Sequence, residues 1–311
     1  MAAAPALPRF AAALDYPTRP IKVIIGFTPG GPADIVARLI GQSLSAQLGQ
    51  PFVIENRPGA GTTIATESVA HAAPDGYTLL WTTSADEINK TLYAKLNYDF
   101  VRDIAPVASV DLLPLVMEVS PAFPANTVPE FIAYAKANPG KINFASGGVG
   151  SSQHVAGELF DFVTGIRMVH VPYRGSALAV NDLLAGQVQV SFSPIPLSIG
   201  YIRAGKLRAL AVTSATRSEA LPDVPALSEF VPGYEAVATD GLGAPAHTPP
   251  EIIATLNKAV NGALADPKIR TWLEDLGGVP NPMSVAEFAN FIAAETEKWA
   301  KVIKFANIKM D

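Results

Sequence analysis

The sequence predicts an α/β protein of two lobes with a ligand cleft between them. Three observations carry that expectation: short β-rich runs alternate with amphipathic helices from residue 21 onward, the alternation occurs twice, and two extended segments join the two runs. In the first run, Ile21-Lys22-Val23-Ile24-Ile25 reads as a short, β-branched, buried strand. Residues 34–48 follow as a helix, with Ile35, Leu39, Ile40 and Leu44 near one face and Gly49 closing it. Phe52-Val53-Ile54 is a second strand, residues 62–72 a helix stopped by the Pro74-Asp75-Gly76 turn, and residues 77–81 a third strand. A βαβαβ unit of this kind implies parallel strands with helices on both faces.

The second run begins near Leu112. It predicts a helix over 128–138, a strand over 142–145, a helix over 152–163, a strand over 168–171 and a helix over 177–185. Strands over 188–192 and 207–212 complete a second parallel sheet. Pro249 and Pro250 open a further helix, and Ser284 with Glu287 forms a capping box for a last long helix carrying Phe288, Phe291, Ile292 and Trp299. The extended segments are 106–119 and 234–245. If the last helices return to the first sheet, the chain crosses between lobes at both, and two crossings make a hinge. Lobe 1 is then residues 14–111 plus 239–311, and lobe 2 residues 112–238.

Composition narrows the function. A 311-residue chain that is 49% hydrophobic can bury a large core, and a net charge of −5 without any run of Lys or Arg argues against nucleic acid or an acidic membrane surface as partner. Cysteine is absent, so disulfides, thiolate metal sites and cysteine nucleophiles are excluded. No stretch approaches the ~20 uninterrupted apolar residues of a membrane-spanning helix. A monomer is expected. Residues 1–13, rich in Ala and ending in Ala11-Ala12-Ala13, are either the remnant of a signal peptide or a short disordered arm.

Two loops carry candidate chemistry. Phe27-Thr28-Pro29-Gly30-Gly31-Pro32-Ala33-Asp34 lies between a strand and a helix, where glycines let backbone approach a ligand and free N–H groups favour an anion. The alternative is a tight turn whose glycines only satisfy positive φ. Ser146-Gly147-Gly148-Val149-Gly150-Ser151-Ser152-Gln153-His154 occupies the corresponding place in the second run and gathers three hydroxyls at a positive helix end. It is either an anion cradle or an ordinary N-cap. A carboxylate-headed ligand bridging both loops is the simplest joint reading. In Val171-Pro172-Tyr173-Arg174-Gly175-Ser176, Tyr173 would wall the pocket and Arg174 is a secondary candidate for an anion.

Enzyme and metal readings are weaker. Ser151, Ser152 and His154 sit in G-S-S-Q-H rather than G-x-S-x-G, so a serine hydrolase is a distant alternative. Gly59-Ala60-Gly61-Thr62-Thr63-Ile64 lacks the third glycine of a dinucleotide fingerprint, and no phosphate-loop motif is present. The four histidines (His71, His154, His170, His247) show no metal-ligand spacing, and His71 and His247 read as surface or turn residues. No catalytic residue, metal or cofactor is expected.

Several motifs together resemble one family. Tyr16-Pro17-Thr18-Arg19-Pro20-Ile21, the 27–34 loop with Arg38, Glu55-Asn56-Arg57-Pro58-Gly59-Ala60-Gly61, Pro74-Asp75-Gly76-Tyr77-Thr78-Leu79, His170-Val171-Pro172-Tyr173-Arg174-Gly175 and Leu221-Pro222-Asp223-Val224-Pro225 are similar to the tripartite tricarboxylate transporter receptors, the Bug family of periplasmic solute-binding proteins. The resemblance covers nearly everything from residue 15 onward. It implies a type II periplasmic binding fold, export to the periplasm of a Gram-negative cell, a signal remnant at the N-terminus, and delivery of a carboxylate to membrane permease subunits. A ligand-sensing subunit of a signalling system is the alternative within that class. Carried over, the family's site places Phe27, Gly31, Ala33 and Asp34 on one side and Ser146, Gly150, Ser151, Ser152, His154 and Tyr173 on the other. Thr83 and Ser84, with Asn89 nearby, complete the first wall. Two departures stand out. Pro32-Ala33 replaces the small hydroxyl residues common there, and Thr239-Asp240-Gly241 stands where an aromatic pair is common. Asp240, together with Asp86 or Glu87, would put negative charge near the ligand's far end and favour a hydroxyl, amine or protonated group there; Asp86 and Glu87 otherwise read as solvated helix-start charges.

Overall fold

The computed structural model describes residues 16–310. The proposed signal remnant lies outside the described residues. Strand β1 (Ile21–Ile25) buries every residue except Lys22, as a strand covered on both faces must. It is followed by α1 (Pro32–Leu48), β2 (Phe52–Asn56), α2 (Thr63–Ala70), β3 (Thr78–Thr83), α3 (Ser84–Leu92), the short α4 (Phe100–Asp103) and β4 (Ile104–Val119). The second lobe continues with α5 (Val128–Ala137), β5 (Asn143–Ser146), α6 (Ser152–Thr164), β6 (Val169–Pro172), α7 (Ser176–Leu184), β7 (Val190–Pro194), α8 (Ile195–Arg203) and β8 (Arg208–Val212). The chain then returns through β9 (Val237–Pro245) to α9 (Pro250–Ala265), α10 (Pro267–Asp275), β10 (Val279–Pro280) and α11 (Val285–Ala306).

The strands run in the order β2-β1-β3-β9-β4-β7-β5-β6, with β8 and β10 also on β4. Within the first lobe β1 is parallel to β2 and β3, and within the second β5 is parallel to β6 and β7, as the alternating pattern predicts. The expected separate parallel sheet in lobe 2 is corrected in one respect: β4 runs through both lobes and pairs antiparallel with β7 and β8 there. Its 16 residues reach about 50 Å when extended, enough to serve both sheets. In its first part β4 pairs with β9, from Ile104↔Pro245 to Pro114↔Val237. These two antiparallel strands are the crossovers, and the register shifts between Pro106 and Ala108 and between Ser109 and Asp111 bend the pair at the hinge. Helices α4, α8 and α10 were not anticipated, and α3 was anticipated only as a helix start at Asp86 and Glu87. Helix α3 is set by Thr83, whose capping box with Asp86 turns a strand end into a helix start.

Two hydrophobic clusters flank the first sheet. Val36, Ile40 and Leu44 of α1 pack with Leu256 and Val260 of α9 on one side, and Phe288 and Ile292 of α11 join Val69 and Phe100 on the other. The last helix does not stay in lobe 1. Its second half places Trp299, Val302 and Ile303 in the cluster of Phe131, Phe144, Phe160 and Phe192 from lobe 2, which Ile88 and Leu92 of α3 also join. The reason is pattern: α11 is 22 residues long, and its apolar stripe continues past the end of the first lobe. Trp299 is 1% exposed, so Trp299→Ala is expected to lower unfolding stability by about 3–5 kcal/mol, measured by chemical denaturation. A loss under about 1 kcal/mol would mean that the far half of α11 is not part of the core.

Candidate functional site

A cleft of about 650 Å³ lies between the lobes, a size suited to a small organic ligand. Four helices present their N-terminal residues to it: α1 through Gly31, Pro32 and Ala33, α3 through Ser84 and Ala85, α6 through Ser151 and Ser152, and α7 through Ser176. First-turn N–H groups have no intrahelical acceptor, and neither α1 nor α7 has a side-chain cap to occupy them. Each helix end also carries partial positive charge. No Lys, Arg or His stands on the cleft wall among the described residues, and its one acidic residue is Asp240. The donors this wall offers are therefore backbone N–H groups and hydroxyls, not cations.

Behind the wall, polar side chains fix the loops. Asp34 does not face the cleft. Its Oδ2 accepts from Gly30 N and from Arg38 Nε, both at 2.9 Å, and its Oδ1 accepts from Arg38 Nη2 at 2.9 Å and Asn56 Nδ2 at 2.7 Å. The Arg38 guanidinium holds the Asp34 carboxyl down at about 2. Asn56 also donates to Phe27 O at 3.0 Å, so the knot clamps both ends of the loop whose glycines approach the ligand space.

The loop of lobe 2 is built the same way. Ser146 is fully buried, and its Oγ lies 2.6 Å from His170 Nε2 while donating to Gly148 O and accepting from Gly148 N, both at 3.1 Å. His154 is 3% exposed; its Nδ1 accepts from Gly150 N at 3.1 Å, and its ring stacks on His170 at 3.6 Å. Burial, then the neighbouring His154, push His170 down to about 3, so that ring is neutral. Gln153 Oε1 accepts from Gly147 N at 2.6 Å and Ser176 Oγ at 2.8 Å, which ties the loop to α7. Ser151 caps α6, accepting from His154 N at 3.3 Å and donating to Gly148 O at 2.7 Å.

Of the residues expected at the site, Phe27, Gly31, Ala33, Thr83, Ser84, Asn89, Gly150, Ser151, Ser152 and Asp240 line the cleft. Asp34, Ser146, His154, Tyr173 and Arg174 do not line it. Asp34, Ser146 and His154 are engaged in holding loops; the Tyr173 hydroxyl donates to Asp182 Oδ2 at 2.6 Å; Arg174 is exposed. The Ser151–His154 hydrolase geometry is also absent, since Ser151 Oγ donates to a carbonyl and His154 Nδ1 accepts a backbone N–H.

Asp86 and Glu87 are corrected twice over: they are 1% and 3% exposed, and neither reaches the cleft. Asp86 accepts from the Thr62 and Thr66 hydroxyls at 2.8 and 2.6 Å and from Thr83 N at 2.9 Å. Glu87 is pushed well up by burial and by Glu295, with Lys298 opposing. Sequence reading missed Leu92, Tyr93, Leu113, Ser176, Thr239 and Met310, all on the wall. Ser176 was findable, since Gly175-Ser176 repeats the strand–glycine–helix signal; Met310 was not, because it reaches the cleft only by pairing with Tyr93, its N–H donating to Leu92 O at 3.1 Å.

A two-lobed α/β fold closing on a cleft lined by helix N-termini defines a solute-binding receptor. The chain belongs to the tripartite tricarboxylate transporter family of receptors, whose family model matches residues 36–308. Protein BugT of Bordetella pertussis is 37% identical over 298 residues, covering 95% of this chain and 91% of BugT. A Rhodopseudomonas palustris protein solved with adipate superposes with a TM-score of 0.81 at 36% identity, over 95% of this chain and 99% of that one. MatC from the same organism, solved with malate, gives a TM-score of 0.77 at 35% identity, over 93% of this chain and 100% of MatC. The family read from the motifs and the fold class are both borne out. No described helix is long and apolar enough to cross a membrane.

Proposed function

We propose that this receptor works outside the cytoplasm, captures a small organic carboxylate in the cleft by lobe closure, and hands it to the membrane permease of a tripartite tricarboxylate-type transporter without chemical turnover. The observation that carries the reading is the convergence of four helix N-termini on a wall that, among the described residues, is free of Lys, Arg and His. Related proteins solved with adipate and malate support a carboxylate as the ligand's head group. Lobe 1 is taken as residues 14–111 plus 239–311 and lobe 2 as 112–238, with α11 packed against both. Ligand stabilises the closed form because donors from both lobes reach it only when the cleft shuts.

A thermal-shift screen against small carboxylates tests the reading. A ligand at 100 times its dissociation constant adds about 2.7 kcal/mol of stability. A refolded, ligand-stripped protein that shifts with no member of a broad panel would refute it. Ser152 and Ser151 separate binding from folding. Ser152 Oγ has no hydrogen bond among the described residues, so Ser152→Ala is expected to weaken carboxylate binding by about 1–3 kcal/mol with little change in the free protein's melting temperature. Ser151→Ala also removes an N-cap and is expected to cost about 0.5–2 kcal/mol of stability. Calorimetric titration and thermal melts of both variants read the two effects.

A further inference from the structure

Among the described residues Asp240 is the one acid on a wall whose other polar groups are hydroxyls, an amide and helix N-termini. It sits in the middle of β9, paired with Thr83 of β3 on one side and Asp111 of β4 on the other. Its Oδ1 accepts from Trp81 Nε1 at 3.1 Å, while its Oδ2 is buried with no partner among the described residues. Asp111 behind it is fully buried, and neither of its carboxyl oxygens has a partner among the described residues. The charged group that bears on Asp240 is Asp86, a third acid, and the one that bears on Asp111 is Asp240 itself. The hinge side of the cleft thus concentrates acceptor oxygens that no cation among the described residues neutralises. The helix ends concentrate donors. The two kinds of wall suit the two ends of an unsymmetrical ligand.

Resting on the carboxylate reading above, we infer that Asp240 selects the ligand's second polar group: the receptor takes a carboxylate whose far end is a hydrogen-bond donor, an amine or a hydroxyl, in preference to a dicarboxylate of the same length. A second carboxylate at this position would meet like charge in a poorly solvated setting, which is a strong means of rejection. An ammonium or hydroxyl instead supplies a donor to Asp240 Oδ2, which lacks one among the described residues. Trp81 positions the Asp240 carboxyl through its indole N–H, and Asp111 lies behind it on β4.

The test is isothermal titration at pH 8 with probes of matched length: 6-aminohexanoate, 6-hydroxyhexanoate, adipate and hexanoate, and 4-aminobutyrate against succinate. Burial raises Asp240 to about 7, so pH 8 keeps it mostly ionised. The expected result is that the amino and hydroxy acids bind at least about 10-fold more tightly than the diacid of equal length. In Asp240→Asn the ratio falls to within about 3-fold, because the amide both donates and accepts. A diacid that binds as tightly as its amino counterpart in the wild-type protein overturns the inference, and that measurement does not depend on the variant folding. If hexanoate binds and the ranking fails, the role of Asp240 alone is lost. If none of the six probes binds a ligand-stripped protein, both this inference and the carboxylate reading fall.

Discussion

Gly150→Val is expected to abolish ligand capture while leaving a folded protein. Gly150 has φ 78° and stands on the cleft wall at the start of α6; a Cβ built on it would lie 2.5 Å from Leu92 Cδ2 of α3. Leu92 is 3% exposed and packed into the shared core, so it cannot swing aside cheaply. The added isopropyl group wedges the α6 loop away from α3, and donors of the two lobes no longer reach one ligand. Affinity for a carboxylate identified by screening should fall more than about 100-fold, a loss of at least about 2.7 kcal/mol. Positive φ adds about 1–2 kcal/mol of backbone strain, so the free protein melts somewhat lower. Titration calorimetry and scattering with and without ligand would read both effects. Wild-type affinity in Gly150→Val would show that α3 and the α6 loop do not approach when ligand binds.

Stability should peak at mildly acidic pH and decline toward neutrality. Burial raises Asp86, Glu87, Asp111, Glu118, Asp161, Asp240 and Glu295 above the ordinary carboxylate range, with Glu118, Asp161 and Asp240 pushed up to about 7. A raised acid keeps its proton in the folded chain at a pH where the unfolded chain has lost it. The folded state then binds more protons, and stability falls as pH rises from about 4 to about 7. Asp34, Asp103 and Glu229 act in the opposite sense: pairing with arginines holds each at about 2, so their contribution is complete above about pH 4 and lost as pH falls toward 2. His170, held at about 3 by burial, adds stability as pH rises from about 3 to about 6.5, but the seven raised acids outweigh one imidazole, and the balance places the maximum near pH 4 to 5.

Glu118 isolates one component. It is fully buried on β4, accepts from Ser198 Oγ at 2.7 Å through Oε1, and leaves Oε2 without a partner among the described residues. Burial moves it from 4.5 to about 7, so Glu118→Gln should flatten the decline and add up to about 3 kcal/mol at pH 8. Melting curves from pH 3.5 to 8 on both proteins decide it. A melting temperature that climbs between pH 5 and 7 in the wild type would contradict the assignment.

Local patterns carried much of this architecture. The strand at Ile21–Ile25, the Ser284–Glu287 capping box and the two strand–glycine–helix loops depend on neighbours within a few residues, and each is where the sequence places it. Orientation depends on distant partners and was not legible. Ser146 was expected to present its hydroxyl to a ligand but turns to His170, supplied by the adjacent strand β6. Asp86 was expected in solvent or at the ligand's far end but is drawn inward by hydroxyls of Thr62 and Thr66, twenty or more residues earlier. The path of α11 into the second lobe and the arrival of Met310 on the wall have no local signal at all. Sequence located the loops; long-range packing decided which of their atoms face the cleft.

Anchoring of a ligand by main-chain N–H groups, as proposed here, would separate holding from choosing. At Ala33 or Ser84 a substituted side chain leaves the amide donor in place, because every residue except proline supplies one. The head group would then remain secured while Leu113, Thr239 and Asp240 on the hinge strands are exchanged. A receptor assembled in this way can be retuned toward a different acid by a few changes on β4 and β9, without dismantling the grip that all such acids share.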